Sequence, residues 1–389
     1  MRFQTPKPFI LSAFFLFYGI NCQAKVELLE TASVPSNLIS KNIMISLAKS
    51  NNDNVLAVGE RGHILNWQSK EQYNQEISPV SLLLTDIIFL SNGDKLAIGH
   101  DGAVITSSKG ADTWHKLFDG FELIELKISL LEEQIIKTKK NIETIEDEDE
   151  RDEASFALED LEFALEDAIN SKEAGPSLPL LSVTQTNNDT ILVTGAYGTL
   201  LRSTDLGKTW QLLDDKLNNP NKFHLNNITS DKNITYIAGE QGNVFKSKDN
   251  GNSWQSISTP YNGSLFGVLT QKNTPNLIAF GLKGNYFTSN DQGEHWVHHV
   301  SENGATLLGG HITENGDVVL VGHGGTIVKL NINTPNKTSL IKHSSGSAFS
   351  AVTVMNDQLI IVGQFGIVSL DNSVNNPSDN ATDDKGVSQ

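Results

Sequence analysis

Cysteine is almost absent from the chain: the single one, Cys22, lies in an apolar N-terminal stretch, so the rest of the sequence has no thiol. That excludes a disulfide-stapled fold, a thiolate metal site and a thiol nucleophile beyond that stretch. Positive charge is also short. Lys plus Arg number 29 against 46 Asp plus Glu, a net charge of -17, where a nucleic-acid binder would show a basic footprint. Arginine is scarcest, at Arg2, Arg61, Arg151 and Arg202 only. After residue 24 no stretch has the roughly 18 apolar residues that a membrane helix needs, so the mature chain is expected to have no span.

The ends differ from the middle. Arg2 and Lys7 precede an apolar run from Phe9 to Ile20, and Ala24 precedes Lys25. Residues 1–24 therefore read as a secretory signal peptide. The expected location is exported and periplasmic, with an extracellular location, or lipidation at Cys22, as the alternatives. Residues 372–389 are rich in Asn, Asp and Ser and read as a disordered polar tail.

Between the ends a short pattern recurs: an apolar strand, Gly, two variable residues, Gly, and another strand. The pairs are Gly59/Gly62, Gly99/Gly102, Gly195/Gly198, Gly239/Gly242, Gly281/Gly284, Gly322/Gly325 and Gly363/Gly366. Successive first glycines lie 40 to 44 residues apart except between Gly99 and Gly195, where about 55 extra residues intervene. Three copies continue into Ser-x-Asp-x-Gly-x-x-Trp: Ser203/Asp205/Gly207/Trp210, Ser247/Asp249/Gly251/Trp254 and Ser289/Asp291/Gly293/Trp296. A degenerate copy runs from Ser107 to Trp114. In each, Ser and Asp can bond the turn backbone, Gly takes the strained position and Trp packs on the sheet, so the expected role is structural.

Four short strands per period of about 41 residues indicate an all-β, seven-bladed β-propeller, with a solenoid as the competing reading. Its expected segments are blades 1 and 2 at 25–119, an insertion at 120–174 and blades 3 to 7 at 175–371. The seventh unit lacks an outer strand, and the segment from Val26 to Ala32 is expected to supply it and close the ring.

These motifs resemble the BNR or Asp-box repeat propellers and, most closely, the photosystem II stability and assembly factor family. The resemblance rests on turns such as Gly239-Glu-Gln-Gly242 followed by Ser247-Lys-Asp-Asn-Gly-Asn-Ser-Trp254, and covers about 290 of the 389 residues. It implies a noncatalytic, protein-binding assembly factor without a cofactor. Relatives in non-photosynthetic bacteria are exported, some with membrane exporters of the resistance-nodulation-division type. The partner implied is thus an envelope or membrane protein complex, with such an exporter as the specific candidate. Photosynthetic members use arginines on one propeller face, and this chain departs from them in having so few.

Asp-box propellers also include sialidases, which need an arginine triad, a tyrosine nucleophile with a glutamate partner and an acid-base aspartate. Only Arg61 and Arg202 fall in the propeller repeats, so that chemistry is not expected. A carbohydrate-active hydrolase using two other carboxylates is the alternative, and a structural, adhesin-like module the third reading. The histidines show no metal spacing such as His-Glu-x-x-His, and no metal site is assigned.

The insertion is the individual feature. Ile128, Ile135 and Ile142 recur every seven residues with Ile124, Leu131 and Ile145 beside them, predicting a helix over 121–147. Ala154, Leu158, Leu161, Leu165, Ala168 and Ile169 predict a second over 152–171, the pair forming an antiparallel coiled-coil hairpin. Residues 121–173 hold 18 acidic and 6 basic residues, a net of -12. At the bend, Glu148, Asp149 and Glu150 sit in a crowded acidic tip suited to a basic partner, a cation or water alone.

If strands run from the centre outward, the glycine turns and the connections between blades share one face, and the Asp boxes the other. The hairpin then emerges beside the glycine turns. Candidate partner-binding residues on that face are Arg61, His100, Asp101, Tyr197, Glu240, Lys283, His323 and Phe365, with the aromatic pair foremost.

Overall fold

The second strand of each repeat is apolar at nearly every position, which suits a strand covered on both faces rather than one. In the computed structural model, which describes residues 27–50 and 54–373, these strands are fully buried: Val55–Gly59, Ile191–Gly195 and Leu277–Gly281 have no exposed position. Each lies in a blade sandwiched between two neighbours, so the alternation of a one-sided sheet is lost at the middle of the blade.

Among the described residues six sheets have four antiparallel strands and the seventh has three, all in simple sequence order. The inner strands, beginning with Met44–Lys49 and Leu84–Phe89, pack each on the next, and the last, Phe349–Met355, returns to the first. The ring is therefore closed radially as a seven-bladed β-propeller. Apolar clusters fill the spaces between blades, such as Met44, Ala57, Leu65 and Trp67 of blade 1 with Met355, Ile360 and Val362 of blade 7.

The inner strands are also joined by polar groups. Asp86 of blade 2 accepts from the Ser46 hydroxyl of blade 1 (2.7 Å) and from the Ser182 hydroxyl (3.0 Å) and Val183 N–H (2.9 Å) of blade 3. Asn227 of blade 4 continues the chain, donating to Ser182 Oγ at 3.2 Å and accepting from Val268 N–H of blade 5 at 3.0 Å. Burial pushes the Asp86 carboxyl above the usual range, against the lowering effect of these bonds.

The N-terminal segment does not complete blade 7. Ser33 N–H donates to Ser78 O (2.9 Å), Ser78 N–H returns a bond to Ser33 Oγ (2.9 Å), and Ser81 N–H donates to Leu28 O (2.9 Å). Leu29 is buried with Leu56, Val80, Leu82 and Trp114 between blades 1 and 2. The adjacent Leu28 and Leu29 lack strand alternation, and only Leu29 is buried. Blade 7 stays three-stranded among the described residues. Its last strand, Gly366–Asp371, abuts the short turn Ile39–Lys41 that leads into blade 1. Contact there is close: at Gly366 (φ +84°) a Cβ would lie 2.0 Å from Ser40 O.

Two helices fill the insertion, α1 (Gly120–Ile142) and α2 (Glu148–Ala174). Asp119 caps α1 by accepting from Phe121 N–H, and the Glu122 carboxylate accepts from Asp119 N–H, a capping box. Asp147 caps α2 through Glu150 N–H at 3.0 Å, so α2 begins about four residues before the position its apolar seam predicts. Leu123, Leu126 and Leu130 pack with Phe118, Trp210 and Leu212, so α1 leans on the outer edge of blade 3 instead of standing clear of the propeller. Among the described residues no helix is long and apolar enough to cross a membrane. The expected signal peptide, Cys22, Val26 and residues 374–389 of the expected tail lie outside the described residues.

Candidate functional site

The glycine turns gather on one face, where several are tied by backbone bonds to the connection that leaves their blade. Gly102 N–H donates to Leu178 O (2.8 Å), Gly242 N–H to Gly263 O (2.8 Å), and Gly325 N–H to Ser347 O (2.7 Å). Glycine is required at the last position: at Gly62 φ is +69° and a Cβ would stand 1.9 Å from Val80 O. The hairpin root enters the same face, since a Cβ on Gly120 would meet Asp101 O at 2.5 Å and Pro176 Cβ at 2.3 Å.

The residue before that glycine adopts a left-handed backbone: φ is 55° at Arg61, 53° at Asp101, 55° at Tyr197, 56° at Gln241 and 56° at Lys283. This conformation is rare for a bulky side chain and persists only when neighbours fix it. Here Gly195 N–H to Thr199 O (2.9 Å) and Thr199 N–H to Ala196 O (3.2 Å) close the turn around Tyr197. Tyr197 is 58% exposed, and its ring meets His224 edge-on at 4.9 Å.

The expected docking residues separate into two groups. Arg61, Tyr197, Lys283, His323 and Phe365 are exposed on the glycine-turn face. Glu240 is engaged in the fold, its Oε2 accepting from His224 N–H (2.9 Å), just as Glu60 Oε1 accepts from Ile43 N–H (3.2 Å) at blade 1. Asp101 and His100 are half-buried beside the hairpin root. Phe365 occupies a tighter turn than the others, a two-residue hairpin with Gly363 opposite Gly366. Glu148, Asp149 and Glu150 are exposed in the first turn of α2, remote from the root of the hairpin. Two exposed phenylalanines of α2, Phe156 and Phe163, are absent from the expected set because they lie off the apolar seam.

Where α1 meets blade 3, Asp214 accepts from Leu200 N–H at 2.9 Å, and burial pushes its carboxyl up to about 6 against the pull of Lys222 and Lys127. Lys139 bonds Glu162 (2.7 Å) and Lys172 bonds Glu125 (2.5 Å) across the hairpin, fixing its two helices side by side.

On the opposite face the Asp boxes are closed turns. The Ser203 hydroxyl donates to Asp205 Oδ1 (2.8 Å) and accepts from Gly207 N–H (2.8 Å), while Asp205 accepts from the Thr209 hydroxyl (2.6 Å) and N–H (2.9 Å). Those Thr209 bonds hold the Asp205 carboxyl down to about 2. Ser247 and Ser289 bond Asp249 and Asp291 in the same way, at 2.8 Å each, and Gly251 and Gly293 accommodate the same turn at positive φ.

The tryptophans of the three boxes all pack against apolar clusters, but to different depths. Trp210 is buried, donates to Gly207 O at 3.0 Å and lies 5.9 Å, centroid to centroid, from the Phe118 ring of blade 2. Trp254 and Trp296 are only half-buried, Trp254 against the cluster holding Phe245 and Trp296 against the one holding Phe287 and Leu277. Among the described residues neither of their indole N–H groups has an acceptor. Trp296 closes over its turn, since a Cβ on Gly293 would lie 3.4 Å from Trp296 Cζ2, and it adds apolar packing to the hydrogen bonds of its box. Among the described residues no second aromatic ring meets either of them as Phe118 meets Trp210.

The box that precedes Trp114 lacks the aspartate, and a buried ion pair takes its place. Glu76 Oε2 accepts from Lys95 Nζ (2.7 Å) and from Trp114 Nε1 (2.8 Å), and its Oε1 accepts from Asn66 at 2.8 Å.

Among the described residues Glu76 and Asp112 are the only carboxylates in a cleft of about 960 Å³ near this box, and Glu76 is buried with both oxygens bonded. Its oxygens are held by Asn66, Lys95 and Trp114, so the cleft presents no pair of uncommitted carboxylates. Arg61 and Arg202 lie apart in the turn of blade 1 and the third strand of blade 3. His298 and His299 stack on Phe287 and Tyr286 at 4.8 and 4.9 Å, and burial holds His311 down to about 4. Among the described residues no three His, Cys, Asp or Glu side chains converge as a metal-holding group.

Comparison with known proteins adds the family. No curated protein matches the sequence significantly. Solved structures share the fold at low identity. A structure described as YCF48 bound to D1 peptide is 12% identical, covering 89% of this chain and 98% of its own, with a TM-score of 0.54. YCF48 from Cyanidioschyzon merolae is 11% identical over 87% and 98%, TM-score 0.56. The WD40 propeller domain of Doa1 is 10% identical over 88% and 95%, TM-score 0.58. The family model described as photosynthesis system II assembly factor YCF48 matches residues 170–373, from the end of α2 through blade 7. Spanning more than half of the sequence, that match shows that the chain belongs to the YCF48 assembly-factor family.

Proposed function

We propose that this protein is a noncatalytic, exported accessory that supports the assembly or operation of an envelope membrane-protein complex. It engages that complex with the glycine-turn face and the adjoining hairpin. Family membership and the D1 peptide bound by a YCF48 structure favour a protein ligand. The specific partner favoured by the resemblance is an exporter of the resistance-nodulation-division type, reached from the periplasm.

Tyr197 carries this reading. A tyrosine fixed in a left-handed turn and 58% exposed presents contact area at little entropy cost, on the face from which the hairpin emerges.

Affinity purification from detergent-solubilised envelope tests it. Three proteins are compared: the wild type, a Tyr197→Ala/Phe365→Ala variant, and a variant with residues 120–174 replaced by a short linker. The expected result is a defined set of envelope partners recovered with the wild type and reduced about tenfold with the double alanine variant at unchanged melting temperature. Equal recovery from folded variants contradicts the proposed face.

A further inference from the structure

The inward side of α2 is fully used. Ala154, Leu158, Leu161, Leu165 and Ala168 are half-buried or buried, and they repeat at the three- and four-residue spacing of a helix seam. Phe156 and Phe163 are not part of that seam. They are 68% and 71% exposed, seven residues apart, and so form one ridge about 10 Å long on the outward side. Two large apolar rings here do nothing for the hairpin's packing, and a face that served solubility alone would not carry them.

Their surroundings are all of one sign. The positions three and four residues to either side are Asp152, Glu153, Glu159, Asp160, Glu166 and Asp167, and every one is exposed. Among the described residues neither basic residue of α2 forms an ion pair with them. Arg151 donates to Ile145 O at 2.8 Å at the bend, and Lys172 is bonded to Glu125.

We propose that this ridge is a docking surface for a basic amphipathic helix of a partner protein. Apolar side chains spaced by two turns would seat beside the phenylalanines, and lysines or arginines flanking them would meet the six carboxylates. The charge pattern selects this occupant: a second copy would oppose acid to acid, and an anionic lipid surface would be repelled. The proposal does not rest on the glycine-turn face, and its test is separate from the one above.

The probe is a fluorescent peptide of about 18 residues, five helical turns, with leucines on one face and lysines elsewhere. A permuted peptide of the same composition without a helical apolar face is the control. Binding to the full chain is read by anisotropy at two salt concentrations. The expected result is that the amphipathic peptide binds at least about tenfold more tightly than the permuted one. Phe156→Ala/Phe163→Ala should remove most of that difference without altering helical circular dichroism or melting temperature. Glu159→Lys/Glu166→Lys should weaken binding and flatten its salt dependence, and Tyr197→Ala should leave it unchanged. Equal binding of the two peptides, or undiminished binding by the phenylalanine variant, would overturn the proposal. So would sedimentation showing that the wild type self-associates through Phe156 and Phe163.

Discussion

Replacing Glu76 by alanine is expected to lower stability by about 3–5 kcal/mol, the usual cost of stranding one partner of a buried ion pair. The side chains of Lys95 and Glu76 are 8% and 2% exposed, so water cannot replace the lost contact. The same carboxylate also accepts from Trp114 and Asn66, and both donors would lose their acceptor. A Lys95→Met/Glu76→Leu variant should regain much of the loss, because it removes both charges while keeping apolar volume. Urea unfolding of Lys95→Met, Glu76→Leu and the double variant checks this as a cycle. A Glu76→Ala protein within about 1 kcal/mol of the wild type would show that the pair does not substitute for the missing Asp box.

Asp86→Ala is the second large effect, expected at about 2–4 kcal/mol. Asp86 joins the inner strands of three blades, and alanine leaves Ser46, Ser182 and two backbone N–H groups without their acceptor. Opposing that loss, alanine removes a carboxylate whose charge is disfavoured by burial. The pH dependence follows from the raised folded-state pKa. The folded state holds the proton more tightly than the unfolded chain, so this contribution is greatest below the unfolded value near 4 and is lost as pH rises through the folded value. The deficit of Asp86→Ala relative to the wild type should therefore grow as pH is lowered toward about 4. A deficit that shrinks over that range would mean that the charged form is the one favoured by the fold.

Both effects depend on contacts that no local pattern announces. The propeller itself was legible because the glycine pairs mark turns that pass close to neighbouring backbone, as at Gly62, Gly102 and Gly242. The helical hairpin was legible for a similar reason, since Ile128, Leu131 and Ile135 recur at helix spacing and pack toward α2. The path of residues 27–37 was not, because the Leu28-Leu29 doublet has no periodicity and its direction is fixed by reciprocal bonds between Ser33 and Ser78. The three complete Asp boxes read alike, yet only Trp210 finds an acceptor for its indole, while Trp254 and Trp296 do not. Nothing in the local sequence marks Glu76 and Lys95, which are buried as a pair only when blades 1 and 2 pack together. Tyr197 and Phe365 could be named from their place between paired glycines, whereas Phe156 and Phe163 stand out only once the seam of α2 has been assigned.

The proposed docking is on the glycine-turn face and not on the Asp-box face. A photoreactive amino acid placed at position 197 or 365, with position 252 in an Asp box as the reference, tests it directly in intact envelope. Docking on the glycine-turn face should give a protein adduct from positions 197 and 365 and none from position 252. Adducts arising from position 252 alone, or equally from all three positions, would contradict it.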